Sequence, residues 1–214
     1  MSDPPPFAEL VAATNYSFLR GASHPAHMVA QAHHLGMAGL GIADRNTVAA
    51  VVRAHVAWRE IGGPATGFRL AVGARLVFAD GTPDIVAYPA TRLGWGRLTR
   101  LLTLGNRRAE KGDCTLNLPD LLDHADDLLL IATGRDRSLL ERLTEARPGA
   151  VWLAATMQRS GADARRLAQA QALGAACGVP LLATCDALYD HPDARPLHDI
   201  LTCIREGTTI AAAG

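Results

Sequence analysis

The stretch LGIADRNTVAAVVRAHVAWREIGGP, residues 40–64, decides the fold class. Residues 40–43 form a short apolar run of strand length that stops at Asp44. Residues 47–61 then change period. Val48, Val51, Val52, His55, Val56 and Arg59 recur at helical spacing, and their four valines predict a core-facing stripe. Gly62-Gly63-Pro64 ends the helix. A buried strand feeding directly into an amphipathic helix is the repeating half of an α/β fold.

The same alternation extends in both directions. Strands are expected at residues 10–13, 70–78, 85–88, 128–132, 151–155 and 181–184. Helices are expected at residues 25–35 (with Ser23 as N-cap), 93–110, 118–124 (opening at Pro119), 139–146, 163–177 and 197–206. In the helix at 163–177, Leu167, Ala170, Leu173 and Cys177 share one side. Gly94-Trp95-Gly96 reads as a flexible aromatic turn packed on the domain. Seven near-continuous apolar strands separated by helices argue for a parallel sheet, closed as a distorted (β/α)7 barrel. Residues 1–6 are expected to be a disordered tail and residues 7–210 one domain. Residues 211–214 are the unassigned end of a fragment, with no closing element from Ile210 onward.

Composition narrows the function classes. Lys+Arg and Asp+Glu are both 21, so no global positive field draws the chain onto nucleic acid and any such contact must be local. No apolar run reaches the ~20 residues of a membrane span. The Pro-rich start lacks the charged and apolar regions of a secretory signal, so no membrane partner and a cytoplasmic location are expected. Cys114, Cys177, Cys185 and Cys203 contain no C-x-x-C pair and read as free, mostly buried thiols.

The positions just after the strands are where such folds place reactive groups. They hold Thr14 to Ser17, then Asp44, Arg45 and Asn46, then Gly73 to Arg75, and finally Cys185 to Tyr189. The histidines do not supply a site. His33 and His34 face different ways; His27 and His34 can share a helix face, but no carboxylate joins them, and His24 sits at the helix start. His55 lies on the valine stripe and is expected in the core, while His124, His191 and His198 are expected to be solvated. There is no G-x-S-x-G and no P-loop, and Ser17 has no evident base.

Four segments carry a specific resemblance. They are Phe18-Leu19-Arg20-Gly21-Ala22-Ser23-His24-Pro25; Ile42-Ala43-Asp44-Arg45-Asn46-Thr47; the basic run from Leu102 to Gly112; and the run from Leu201 to Ile210. In order and spacing they resemble the N-terminal PHP domain of bacterial error-prone C-family DNA polymerases. The resemblance implies a (β/α)7 barrel placed ahead of a polymerase palm, fingers and thumb. It also implies a metal site, and the ligand positions it maps onto this chain are Val11, Ala13, Asp44, Arg45, Arg75, Asp186 and Leu188. Only Asp44 and Asp186 retain a carboxylate.

A phosphoesterase metal centre needs imidazoles and carboxylates to hold cations and acidify bound water. Val11, Ala13 and Leu188 have no lone pair to offer, and Arg45 and Arg75 bring fixed positive charge. The expectation is a site with no metal and no catalytic residue, in which Arg–Asp pairs replace the cations. No cofactor is expected in this domain; magnesium is expected in the palm. The basic run, with the arginines just ahead of it, adds Arg97, Arg100, Arg107, Arg108 and Lys111 as candidate contacts to DNA or to the polymerase thumb. The resemblance names as partners the rest of the polymerase chain, DNA, and a sliding clamp or other mutagenesis proteins. The chemical alternative is a metal-dependent phosphoesterase or 3'-5' exonuclease.

Overall fold

The computed structural model describes residues 5–213, so the Met1 to Pro4 part of the expected tail and Gly214 lie outside it. Seven strands stand in one sheet in chain order, and eight α-helices are interleaved with them among the described residues. The α/β class holds. The chain divides into two compact units, one of residues 1–72 with 186–214 and the other of residues 73–185.

In the first unit, β1 (Ala8–Ala12) pairs in parallel with β2 (Gly39–Arg45), and the register shifts between Glu9 and Ala12. From Gly39 to Asp44, β2 is buried at every residue, which explains its unbroken apolar run. Gly39 is required there, because a Cβ would lie 2.6 Å from the Arg69 carbonyl oxygen. Helix α1 (Pro25–His34) buries Met28, Val29 and Ala32. Its N-cap is His24, not Ser23, whose hydroxyl is committed to Asp190.

Helix α2 (Val51–Glu60) overturns the valine stripe. Val52 and Val56 are 67% and 48% exposed, and His55 is exposed with them. The buried face is Ala50, Ala54 and Ala57, completed by Trp58 and Ile61. Small side chains at this spacing let α2 lie close to its neighbours, a choice that valines would prevent. Trp58 fixes the fit by donating its indole N–H to the Phe68 carbonyl at 2.9 Å.

In the second unit, β3 (Arg69–Leu76) enters from the first and pairs antiparallel with β4 (Ile85–Pro89). β4 is also antiparallel to β5 (Leu128–Ala132), whereas β5 with β6 (Val151–Ala155) and β6 with β7 (Leu181–Ala183) are parallel. The expected all-parallel sheet is therefore mixed. The cause is length: residues 77–84 link β3 to β4 without a helix, too few for the dozen or more a parallel crossover needs. Gly73 lets β3 and β4 meet, since a Cβ there would sit 2.2 Å from the Ala87 carbonyl.

Around these strands, α3 (Arg92–Arg108) buries Leu98, Leu101, Leu102 and Gly105 on one face. Gly94-Trp95-Gly96 belongs to this helix and is not a turn; Thr91 caps it by accepting from the Gly94 amide. The others are α4 (Leu118–Asp123), α5 (Arg137–Ala146) and α6 (Asp163–Cys177). Helix α6 keeps Ala170 and Gly174 inside with Leu167, Leu173 and Cys177 half-buried, as its spacing predicts. The first unit ends with α7 (Arg195–Glu206) and α8 (Ile210–Ala213), a four-residue helix where no element is expected.

Candidate functional site

The C-terminal end of β1 is where the first unit gathers its chemistry. Val11 and Ala13 are 1% and 3% exposed. The Ala13 amide donates to the Ala187 carbonyl at 2.9 Å, and the Ala22 amide to the Leu188 carbonyl at 2.8 Å. Thr14 reaches Asp44 at the end of β2. Of the expected positions, Val11, Ala13, Asp44 and Leu188 are thus drawn together by β1 and the loops after β1 and β7. Asp186, next to Ala187, has a positive φ of 52°. Arg75 lies in β3 within the second unit.

Asp44 is 1% exposed and its carboxylate is fully engaged. Oδ1 accepts from the Thr14 amide at 2.7 Å and from the Ser17 hydroxyl at 2.7 Å; Oδ2 accepts from the Thr14 hydroxyl at 2.8 Å. The Ser17 oxygen accepts in turn from the Arg45 amide at 3.0 Å. The Arg–Asp pair expected at Asp44 is not formed among the described residues. Two hydroxyls and an amide hold the carboxylate, and Arg45 contributes to this network through its backbone. Burial raises the Asp44 carboxyl above its usual range and outweighs the lowering by the Ser17 and Thr14 donors.

Thr14 and Ser17 are residues to which the sequence alone assigns no role. A signal exists, two hydroxyls three residues apart directly after a buried strand, but their acceptor is 27–30 residues away. The loop they start is tightly wound. The Ser17 amide donates to the Thr14 carbonyl at 2.8 Å, and the Arg20 and Gly21 amides return to the Ser17 carbonyl. A Cβ on Gly21 would lie 2.0 Å from the Thr14 carbonyl oxygen, so only glycine fits. Ser23 donates to Asp190, and Arg205 of α7 donates to the Leu19 carbonyl at 2.8 Å, so the first and last of the four motifs meet. Glu9, a further buried acid, accepts from the Val11 amide at 2.7 Å within its own strand.

A metal would need donors that these residues do not offer. Val11 and Ala13 are aliphatic, and Asp44 spends both oxygens on protein donors. Among the described residues, no three His, Cys, Asp or Glu side chains group as a metal would require. The residues at this site do not fit a divalent cation. The Ser17 hydroxyl donates directly to the Asp44 carboxylate, an arrangement without the intervening imidazole of a Ser-His-Asp relay.

The histidines distribute differently from expectation. His24 and His27 meet edge to face, and both are exposed. His124 is half-buried, its Nδ1 2.9 Å from the Asp120 carbonyl oxygen. His198 is half-buried within α7 against Tyr189, not solvated. His191 is exposed. The four cysteines are free, but only Cys203 is fully buried and Cys185 is exposed.

A second candidate lies on α3 in the other unit. Arg100, Thr103, Leu104, Arg107 and Arg108 line an open groove of about 420 Å³. Acids from outside the run occupy part of the basic set. Arg97 pairs with Asp127 and Asp126, and Arg108 with Asp120 at 2.7 Å. Burial opposes ionisation of Asp120, yet Arg108 and the Asn117 amide hold its carboxyl below the ordinary range. Arg100, Arg107 and Lys111 stay exposed, with no ion pair among the described residues.

No family model matches the chain. Curated relatives match nearly all of it. It is 51% identical over 216 residues to an error-prone DNA polymerase of Brucella abortus, covering 98% of this chain and 20% of the relative. It is 50% identical to error-prone DNA polymerase 1 of Rhizobium meliloti, over 97% of this chain and 19% of the relative. A third, the error-prone DNA polymerase of Caulobacter vibrioides, is 45% identical over 99% of this chain and 20% of its own length. The chain spans about one fifth of the length of the curated relatives it matches. Solved structures share the fold at low identity. A protein from Bifidobacterium adolescentis assigned as a metal-dependent phosphoesterase aligns over 94% of this chain and 98% of its own, at 15% identity and TM-score 0.55. An amidohydrolase from Chromobacterium violaceum aligns over 85% and 87%, at 15% identity and TM-score 0.57. No helix among the described residues is long and apolar enough to cross a membrane.

Proposed function

We propose, from the premise that this chain is homologous to part of the error-prone DNA polymerases, that it is the PHP domain of such an enzyme and works there as a scaffold without hydrolytic chemistry. The observation that carries the reading is Asp44. A carboxylate that fastens Thr14 and Ser17 beside two aliphatic ligand positions holds a loop in place of a cation. The whole polymerase acts in damage-induced mutagenesis in the cytoplasm, extending primers past lesions. Its nucleotidyl transfer draws on magnesium held by palm carboxylates, and its partners include DNA and a sliding clamp or other mutagenesis proteins. Arg100 and Arg107 on α3, with Lys111 just beyond its end, contact the phosphate backbone, because they keep their charge free while Arg97 and Arg108 are spent on internal acids.

The competing reading is a metal-dependent phosphoesterase or 3'-5' exonuclease, which the fold likeness favours. Two assays on the full-length protein separate them. Primer extension across a lesion-bearing template is expected. Removal of 3' nucleotides from single-stranded DNA with added manganese, abolished by Asp44→Asn while primer extension continues, would instead establish the exonuclease.

A further inference from the structure

Helix α7 is mounted against the direction its sequence suggests. Leu197, Ile200 and Ile204 fall at i, i+3 and i+7, an apolar stripe of the kind that normally faces a core. Here they are 48%, 43% and 59% exposed. A different face of the helix turns inward and carries His198 and Thr202, whose Nε2 and Oγ1 are buried with no protein partner. The helix is not free to roll. Arg205 is tied to the Leu19 carbonyl, the His198 ring lies 5.5 Å from that of Tyr189, and Gly207 closes the end at φ 64°. The residue before Leu19 is Phe18, 80% exposed at the tip of the loop that Asp44 fastens.

We infer that the outward stripe of α7, together with Phe18, is the surface on which the remainder of the polymerase polypeptide seats an apolar element of its own. The inference rests on the polymerase reading above. Charge argues for an apolar protein partner over phosphate or lipid headgroups. The ionic groups bordering the stripe pair with each other, Arg195 with Asp199 at 3.8 Å and Arg205 with Glu206 at 2.8 Å, leaving no excess cation. Size argues for a tethered partner. Phe18, Leu197, Ile200 and Ile204 together expose on the order of 400 Å², against roughly 800 Å² per partner in a standard free-standing interface. Covalent connection supplies the millimolar-range effective concentration that makes so small a patch sufficient. The curated relatives, about five times as long as the region matched, have the polypeptide to provide it.

The test uses the full-length protein. Single variants Ile200→Cys and Ile204→Cys are labelled with a maleimide, and the rate at each site is read by peptide mass spectrometry. Val52→Cys, at an exposed position of α2 in the same unit, is the internal standard. Labelling at positions 200 and 204 is expected to be at least about tenfold slower than at 52, and unchanged by dilution. Equal rates overturn the inference. Protection that disappears on dilution gives the surface to a second copy and overturns it as well. Primer extension by the same preparations reports separately on the polymerase reading. Protected sites in a protein that cannot extend a primer would remove that reading and not the surface.

Discussion

Removing one oxygen from the Asp44 cage has a magnitude that can be worked out. In Ser17→Ala, Asp44 Oδ1 loses a donor at 2.7 Å and the Arg45 amide loses its acceptor at 3.0 Å. A hydrogen bond to a charged group contributes about 1.5–3 kcal/mol, and a buried amide left unpaired costs about 1 kcal/mol or more. Ser17 is 2% exposed, so water does not replace either partner without opening the loop. The expected loss is about 3 kcal/mol, read as a lower urea midpoint at unchanged slope. Asp44→Asn provides the second arm of a double-mutant cycle. Asn keeps the oxygen that accepts from the Thr14 amide, and the hydroxyls can reorient. The two changes should therefore couple by about 1 kcal/mol or more, as residues in one network do. A Ser17→Ala loss below about 0.5 kcal/mol, or additive single variants, would refute the claim that the carboxylate is a fastening.

The cage also sets a pH dependence. Burial raises the folded-state pKa of Asp44 above its unfolded value of 3.8, so the folded chain holds that proton more tightly and stability falls as pH rises from 3.8 through the raised pKa. Relative to Asp44→Asn, the wild type should lose stability over that window, and a gap between them that is flat from about pH 4 to 7 would contradict the direction. Gly21→Ala should fail to fold or lose several kcal/mol, because the added Cβ meets backbone and no flexible side chain; a circular dichroism melt within about 2 °C of wild type would refute the close approach. In the full-length protein, Arg100→Ala with Arg107→Ala should weaken primer–template binding and flatten the salt slope by about 1.8, near 0.9 for each phosphate no longer neutralised. Arg97→Ala should leave that slope unchanged and lower stability instead, since its guanidinium is held by Asp127 and Asp126.

Much of the fold is legible along the chain because buried strands announce themselves. β5 is an unbroken apolar run whose ends coincide with the strand ends, β6 lies within another, and α6 follows from the side that carries Leu167, Ala170, Leu173 and Cys177. Two features are not legible in the apolar pattern, for physical reasons. In α2, alanines bury completely while valines sit outside, so hydrophobicity ranks the faces in the wrong order when close approach matters more than apolar area. The apolar run of β4 does not state its direction; that follows only from the shortness of the link, already visible between the strands expected at residues 70–78 and 85–88. At the site, missing ligands are readable from residue types alone. What holds Asp44 is not, because Thr14 and Ser17 acquire meaning only when folding brings Asp44 to them. The basic run looks more highly charged in sequence than it is in the fold: the acids that neutralise it, Asp120, Asp126 and Asp127, lie beyond its C-terminal end and reach it only through tertiary packing.

The packing at the end of β1 has a consequence for anyone wishing to build a metal site here. Val11→His with Ala13→His would place two rings at positions only 1% and 3% exposed, while the Asp44 carboxylate still answered to Thr14 and Ser17. On the scaffold reading proposed above, building a metal site here means replacing the turn from Thr14 to Gly21 along with the ligand positions, because that turn and Asp44 hold each other in place.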